Sequence, residues 1–224
     1  MRFGYLRHFM DVHELIEAIR RDDTAEVEAL LEAQPLLAEA DADGNSAVLT
    51  ARYYGRDEAL QLLLDQNPEL NIFEAAAVGD TERVRECVAS DPTSVNATAP
   101  DGFQPLGLAA FFGNEAAFDV LLSAGADVDS EAQNDFKVRP IHAAVANGNM
   151  SVIRKLIAVG ADVNARQQRD FTPLHEAARS GNEEMVSTLL AAGANRAARD
   201  ADGRTPADHA RENGHGEIAV LLAP

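Results

Sequence analysis

Few residues in this chain are spaced for chemistry. His13-Glu14-Leu15-Ile16-Glu17 comes nearest to a zinc site, because His-Glu-x-x-His on a helix sets two imidazoles on one face. The fifth residue here is Glu17 instead of histidine, so the match reads as chance. Asp-Ala-Asp-Gly occurs twice, at 41–44 and 200–203, and acidic loops of this kind hold calcium. A calcium loop needs glycine at its sixth position and a bidentate carboxylate at its twelfth. Glycine falls at the fourth position in both copies, and the twelfth is Arg52 or Arg211, so both read as turns. The single cysteine, Cys87, excludes an internal disulfide and a cysteine-based zinc site, and reads as a small buried apolar residue. No Gly-x-Ser-x-Gly, P-loop or Gly-x-Gly-x-x-Gly pattern is present. Paired carboxylates abound, but in a chain of net charge −18 they are solvated faces for the most part. The expectation is a non-enzyme, with no catalytic residues, no metal and no cofactor.

With 46% apolar residues, the 224-residue chain has enough to bury a core, and only 5% of residues are aromatic. Abundant Ala and Leu favour closely packed short helices over a β-sandwich, which would want more Val, Ile, Thr and aromatic residues. The acidic balance disfavours general affinity for nucleic acid or anionic membrane. No apolar run has the length of a signal peptide or a bilayer span, so the reading is a soluble cytoplasmic protein. Met10 stands directly before a periodic stretch, so either Met1 or Met10 could be the natural start, and residues 1–10 read as an N-terminal extension.

The organising signal is a repeat of about 33 residues. Asp22, Gly55, Gly79, Gly113, Gly148, Gly181 and Gly214 mark the break between the two helices of successive units, at separations of 33, 24, 34, 35, 33 and 33 residues. A positive φ ends a short helix at little cost in glycine, and Asp or Asn is the next best choice. The implied units run over about 11–39, 40–70, 71–97, 98–130, 131–165, 166–198 and 199–224, together a single domain over 11–224. In the first, Ile16, Ile19, Val27, Leu30 and Leu31 form the apolar stripe. Pro105, Pro140, Pro173 and Pro206 suit the first helical position, where φ is preset and no amide donor is needed. The short step from Gly55 to Gly79 removes the turn that would open the third unit, whereas 130–135 (SEAQND) lengthens the turn of the fifth by two residues.

TPLHEAARSGN with LLAAGAN, RPIHAAVANGN with LIAVGADVNA, and QPLGLAAFFGN with LLSAGADVDS resemble the ankyrin repeat, and DGRTPADHARENGHGEIAVLL is similar to its C-terminal cap. The likeness is strong over 98–224 and weaker over 11–97, where Pro35, Pro68 and Pro92 stand in place of the Gly-Ala-Asp ending, each 13 residues after its helix break. It implies an all-α ankyrin-repeat solenoid of about seven stacked helix pairs with short β-turn fingers, the third unit lacking its finger. It also implies that His142 and His175 hydrogen-bond finger backbone instead of binding metal. Such proteins typically bind other proteins along the fingers and the inner helices.

The positions that the resemblance leaves open to a partner here carry Tyr53, Tyr54, Phe103, Phe111, Phe112, Phe136, Phe171, Arg179 and Arg204. Aromatic residues and arginine are what interface centres are enriched in, so these are the expected partner-binding residues. A notch is expected beside Tyr53 and Tyr54, where the finger is missing. Residues 1–97 hold 20 acidic against 8 basic side chains, a net of −12, whereas residues 98–224 carry −6. Charge of this kind could orient a partner. The function expected is a monomeric, non-catalytic scaffold binding an unidentified protein. The alternatives are an acidic decoy that inhibits a basic, nucleic-acid-binding protein, or a regulatory subunit of an enzyme.

Overall fold

The computed structural model describes residues 2–42 and 44–223. Within them the chain forms seven helix pairs: α1 Arg2–Arg21 and α2 Thr24–Ala33, α3 Ala47–Tyr53 and α4 Asp57–Asp65, α5 Ile72–Val78 and α6 Thr81–Ser90, α7 Pro105–Phe112 and α8 Glu115–Ser123, α9 Pro140–Asn147 and α10 Met150–Ala158, α11 Pro173–Ser180 and α12 Glu183–Ala191, and α13 Pro206–Glu212 and α14 Gly216–Leu221. The four prolines named above are each the first residue of their helix. Every predicted break is left-handed, from Asp22 at φ 65° to Gly214 at 82°. Asp22 shows that a short polar side chain tolerates this geometry. At Gly181 there is a second reason for glycine, because a Cβ there would lie 2.3 Å from Cε1 of His215.

Short helices are marginal alone and persist here because each pair lies on the next. The first helices stack in sequence, α1 on α3 and so on to α11 on α13, through alanines 109, 110, 144, 177, 178 and 210, all essentially sealed from solvent. Methyl-sized side chains let these backbones approach closely. Larger residues from both helices of each pair, among them Leu15, Leu63, Leu106, Phe118, Ile141, Leu156 and Leu189, fill one continuous core along the stack. Truncating one of these to Ala costs about 2–5 kcal/mol, a large part of the stability of such a domain.

Between pairs the chain projects a finger, closed in unit four by Ala99 N–H to Phe103 C=O (2.8 Å) and in unit six by Gln167 N–H to Phe171 C=O (2.9 Å). Unit five closes from Ala132 to Val138, a loop two residues longer, as SEAQND predicts. Neighbouring fingers join edge to edge, through Gln133 N–H to Gly102 C=O, Gln168 N–H to Phe136 C=O and Ala201 N–H to Arg169 C=O, each 2.8 Å. In the second unit the finger is a small hairpin, β1 (Asp41–Ala42) paired with β2 (Asn45–Ser46).

Three expectations differ from the structure. The helix α1 runs without a break across the boundary placed at residue 10, since nothing between Arg2 and Arg21 is proline. Cys87 is half-buried, not buried: Sγ lies 4.0 Å from the Leu70 carbonyl beside the Arg83 side chain, and burial still pushes its thiol pKa up. The third unit does lack a finger, α5 following α4 through an extended link capped by Asn71, but no open notch results. The fourth finger leans across, so that a Cβ on Gly44 would sit 2.6 Å from Cβ of Pro100. The Tyr53 hydroxyl then donates to Asp101 Oδ2 at 2.8 Å.

Candidate functional site

The first helices of units two and four and the fourth finger together form an aromatic wall. Helix α3 ends in Tyr53 and α7 in the pair Phe111-Phe112, because both helices stop at a left-handed glycine one turn beyond their buried residues. The centroid of Tyr53 lies 5.5 Å from that of Phe112 and 6.4 Å from that of Phe103, and Phe111 meets Phe112 edge-on at 5.0 Å. These are favourable arrangements for aromatic quadrupoles. Arg52 covers the outer face of Phe112 with its guanidinium carbon 4.5 Å from the ring centre, while its Nε donates to the Ala77 carbonyl. Phe112 and Phe103 are half-buried; Phe111 keeps 42% of its surface exposed and Tyr53 39%. Burial, then the charge of Asp101 and the hydrogen bond to it, push the Tyr53 hydroxyl pKa up, so it stays a neutral donor.

Beside this wall lies a hollow of about 130 Å³. It is lined by Tyr53 of α3, Phe103, Gly107, Leu108 and Phe111 of unit four, Val138, His142, Ala143 and Ala146 of unit five, and Gln167 and Glu176 of unit six. His142 is locked: the Arg139 amide donates to Nδ1 (3.2 Å) and Nε2–H donates to the Ala165 carbonyl (3.1 Å). Burial depresses its pKa to about 4, so the imidazole is neutral near pH 7. At the rim Glu176 is held by Arg179 through bonds of 2.6 and 3.0 Å. Aromatic faces, methyl groups and a neutral imidazole, with Gln167 and Glu176 as polar neighbours, suit the hollow to desolvating an apolar group.

The remaining predicted residues lie elsewhere. Tyr54, 51% exposed, caps α3. Phe136 (57% exposed) and Phe171 line a second, more polar hollow of about 370 Å³ along the fingers, with Arg169, Asp200 and Arg204. Phe171 is committed to the fold, stacked on His175 at 5.0 Å and met edge-on by His209 at 5.1 Å. His209 Nε2–H donates to the buried Asp200 at 2.8 Å. Burial alone would raise the Asp200 carboxyl, but His209, the amides of Arg204 and Asp202 and the Arg204 guanidinium together hold it at about 2. Arg204 is engaged with Asp200, Asp202 and Glu212. The Asp200 turn is therefore a structural joint, and His175, like His142, bridges its own helix start to the next finger: Nδ1 accepts from the Thr172 amide, and Nε2–H donates to the Arg204 carbonyl.

Sequence reasoning did not single out Gly107, Leu108, Asp101, Ala143 or Ala146. One signal was legible. Aligned on their prolines, units five and six read Pro-Ile-His and Pro-Leu-His, where unit four reads Pro105-Leu106-Gly107.

Residues 141–224 match the family model of ankyrin repeats, in three copies. Residues 141–224 are thus ankyrin repeats, and the preceding helix pairs stack on them in the same manner. Ankyrin repeats are in general protein–protein interaction modules and typically non-catalytic. No helix among the described residues is long and apolar enough to cross a membrane.

Proposed function

We propose that this protein is a non-catalytic scaffold, a single binding domain over 11–224 that holds a partner polypeptide along its first helices and fingers. The observation that supports this reading is the contiguity of an aromatic cluster with an apolar hollow: Tyr53 and Phe111, both exposed, and the half-buried Phe103 and Phe112 lie in one patch instead of being scattered along the stack. Clustered aromatic anchors next to a pocket are where interfaces concentrate their affinity. Phe136, Arg179 and Arg204 extend the surface toward the last units, where charges replace rings. The test is affinity capture from native lysate with the wild-type chain and Phe111→Ala. A partner retained by the first and lost by the second, with melting unchanged, supports the reading. Equal retention of every captured protein sinks it.

A further inference from the structure

The hollow between α7, α9 and the fourth and fifth fingers owes its existence to Gly107. Two residues after the helix-opening proline, units five and six place His142 and His175, which are 4% and 0% exposed and plug the space between helix and finger. Unit four has no side chain there. Its backbone does not call for glycine: Gly107 lies within α7 at ordinary helical φ, and a Cβ would meet nothing within 4 Å. Glycine inside a helix is destabilising relative to alanine, so the fold gains nothing from it. What it leaves is room. A void of about 150 Å³ lined by apolar groups takes a benzene ring, and this one, at about 130 Å³, is lined by Tyr53, Phe103, Phe111 and Val138 among others.

Asp101, bonded to two of the lining residues, adds a charge requirement. Asp101 accepts the Tyr53 hydroxyl on one oxygen and the Phe103 amide on the other, at 2.8 and 3.1 Å, and no cation pairs with it among the described residues. Several other finger carboxylates are neutralised internally, Glu131 by Arg139, Asp170 by Arg166 and Asp202 by Arg169 and Arg204, whereas Asp41 and Asp135 are, like Asp101, without a cation among the described residues. The units on the Asp101 side of the hollow also carry most of the excess negative charge, −12 over residues 1–97.

We propose that the hollow is a socket for one leucine- or phenylalanine-sized side chain of a partner polypeptide, with a lysine or arginine of the same segment seated on Asp101. The proposal rests on the reading of this surface as partner-binding and narrows it to a basic–apolar segment. Refilling the histidine position tests it without cutting into the core. A random peptide library displayed on phage is selected on the immobilised full chain, and an enriched peptide is made with a fluorescent label and titrated by anisotropy. The expected enrichment is for Leu, Phe, Ile or Met beside Lys or Arg. Gly107→Leu should then weaken the peptide at least about tenfold, the scale on which a filled apolar pocket discriminates, with melting unchanged or raised. Gly107→Ala should act in the same direction by less. Asp101→Asn should cost about threefold at low salt and nothing at high salt, as expected of an exposed ion pair. No enrichment, or peptides without the basic–apolar pattern, overturns the socket. Peptides indifferent to Gly107→Leu but lost on Phe111→Ala overturn the socket while leaving the surface reading intact. Peptides retained by both variants remove both.

Discussion

Acid should loosen this stack at a joint that can be named. His142 is neutral in the folded chain because it is buried and because Nδ1 is already an acceptor for the Arg139 amide. Its folded pKa is lowered to about 4 from an ordinary 6.5. The unfolded chain therefore binds a proton more readily, and stability linked to this group is fully present above pH 6.5 and lost as pH falls toward 4. At 1.36 kcal/mol per pKa unit the loss is on the order of 3 kcal/mol. His175, also depressed by burial, adds to it in the same direction. Asp200, held at about 2, contributes only in more acid solution, below the ordinary carboxylate range. Urea unfolding at a series of pH values between 7 and 4, on wild type and His142→Gln, isolates the one group. Glutamine loses the tie and lowers stability at pH 7, but the variant should fall less steeply with acid, so the two curves converge. Parallel curves across that window would falsify the assignment of His142 as a buried neutral joint. An NMR titration showing His142 protonated at pH 6 would do the same.

Two further outcomes follow from the packing. Phe112→Ala should cost about 1–2 kcal/mol for lost apolar burial and about 0.5–1 for the ring under Arg52, so thermal melting should fall clearly. Phe111→Ala should stay within about 0.5 kcal/mol of wild type, which separates the structural ring from the exposed one. Glu74 is buried, accepts from the Asn71 amide (2.8 Å) and the Ser46 hydroxyl, and its pKa is raised by burial and by Asp41 and Glu39. Its contribution is present below pH 4.5 and lost as pH rises through its folded value. Glu74→Gln should therefore gain on wild type at pH 7 relative to pH 4, and an equal difference at both would refute the sign.

Much of this molecule is written locally. A left-handed residue, a proline at a helix start and the length of a turn are decided within a few residues, where steric limits on φ act directly. The seven breaks, the four proline starts, the missing third finger and the longer fifth one could all be read from spacing. The aromatic patch was legible as a set of residue types at exposed positions. What it contained was decided by the stack. Phe171 carries the same ring as Phe111, yet it is clasped between His175 and His209 because the next unit supplies the second imidazole. Arg204 is engaged by three carboxylates from the turn and helix around it. The expected gap closed because the fourth finger could reach Gly44 once no third finger stood between them, a contact 56 residues apart in the chain. The hollow likewise exists only when Gly107 and Ala143, each unremarked in its own helix, are brought together with Tyr53. The sequence by itself determined where most helices and turns begin and end, since backbone geometry answers to neighbours in the chain, although α1 begins at Arg2, ahead of the expected boundary. Only the tertiary structure decided which side chains plug the space between units and which leave it open.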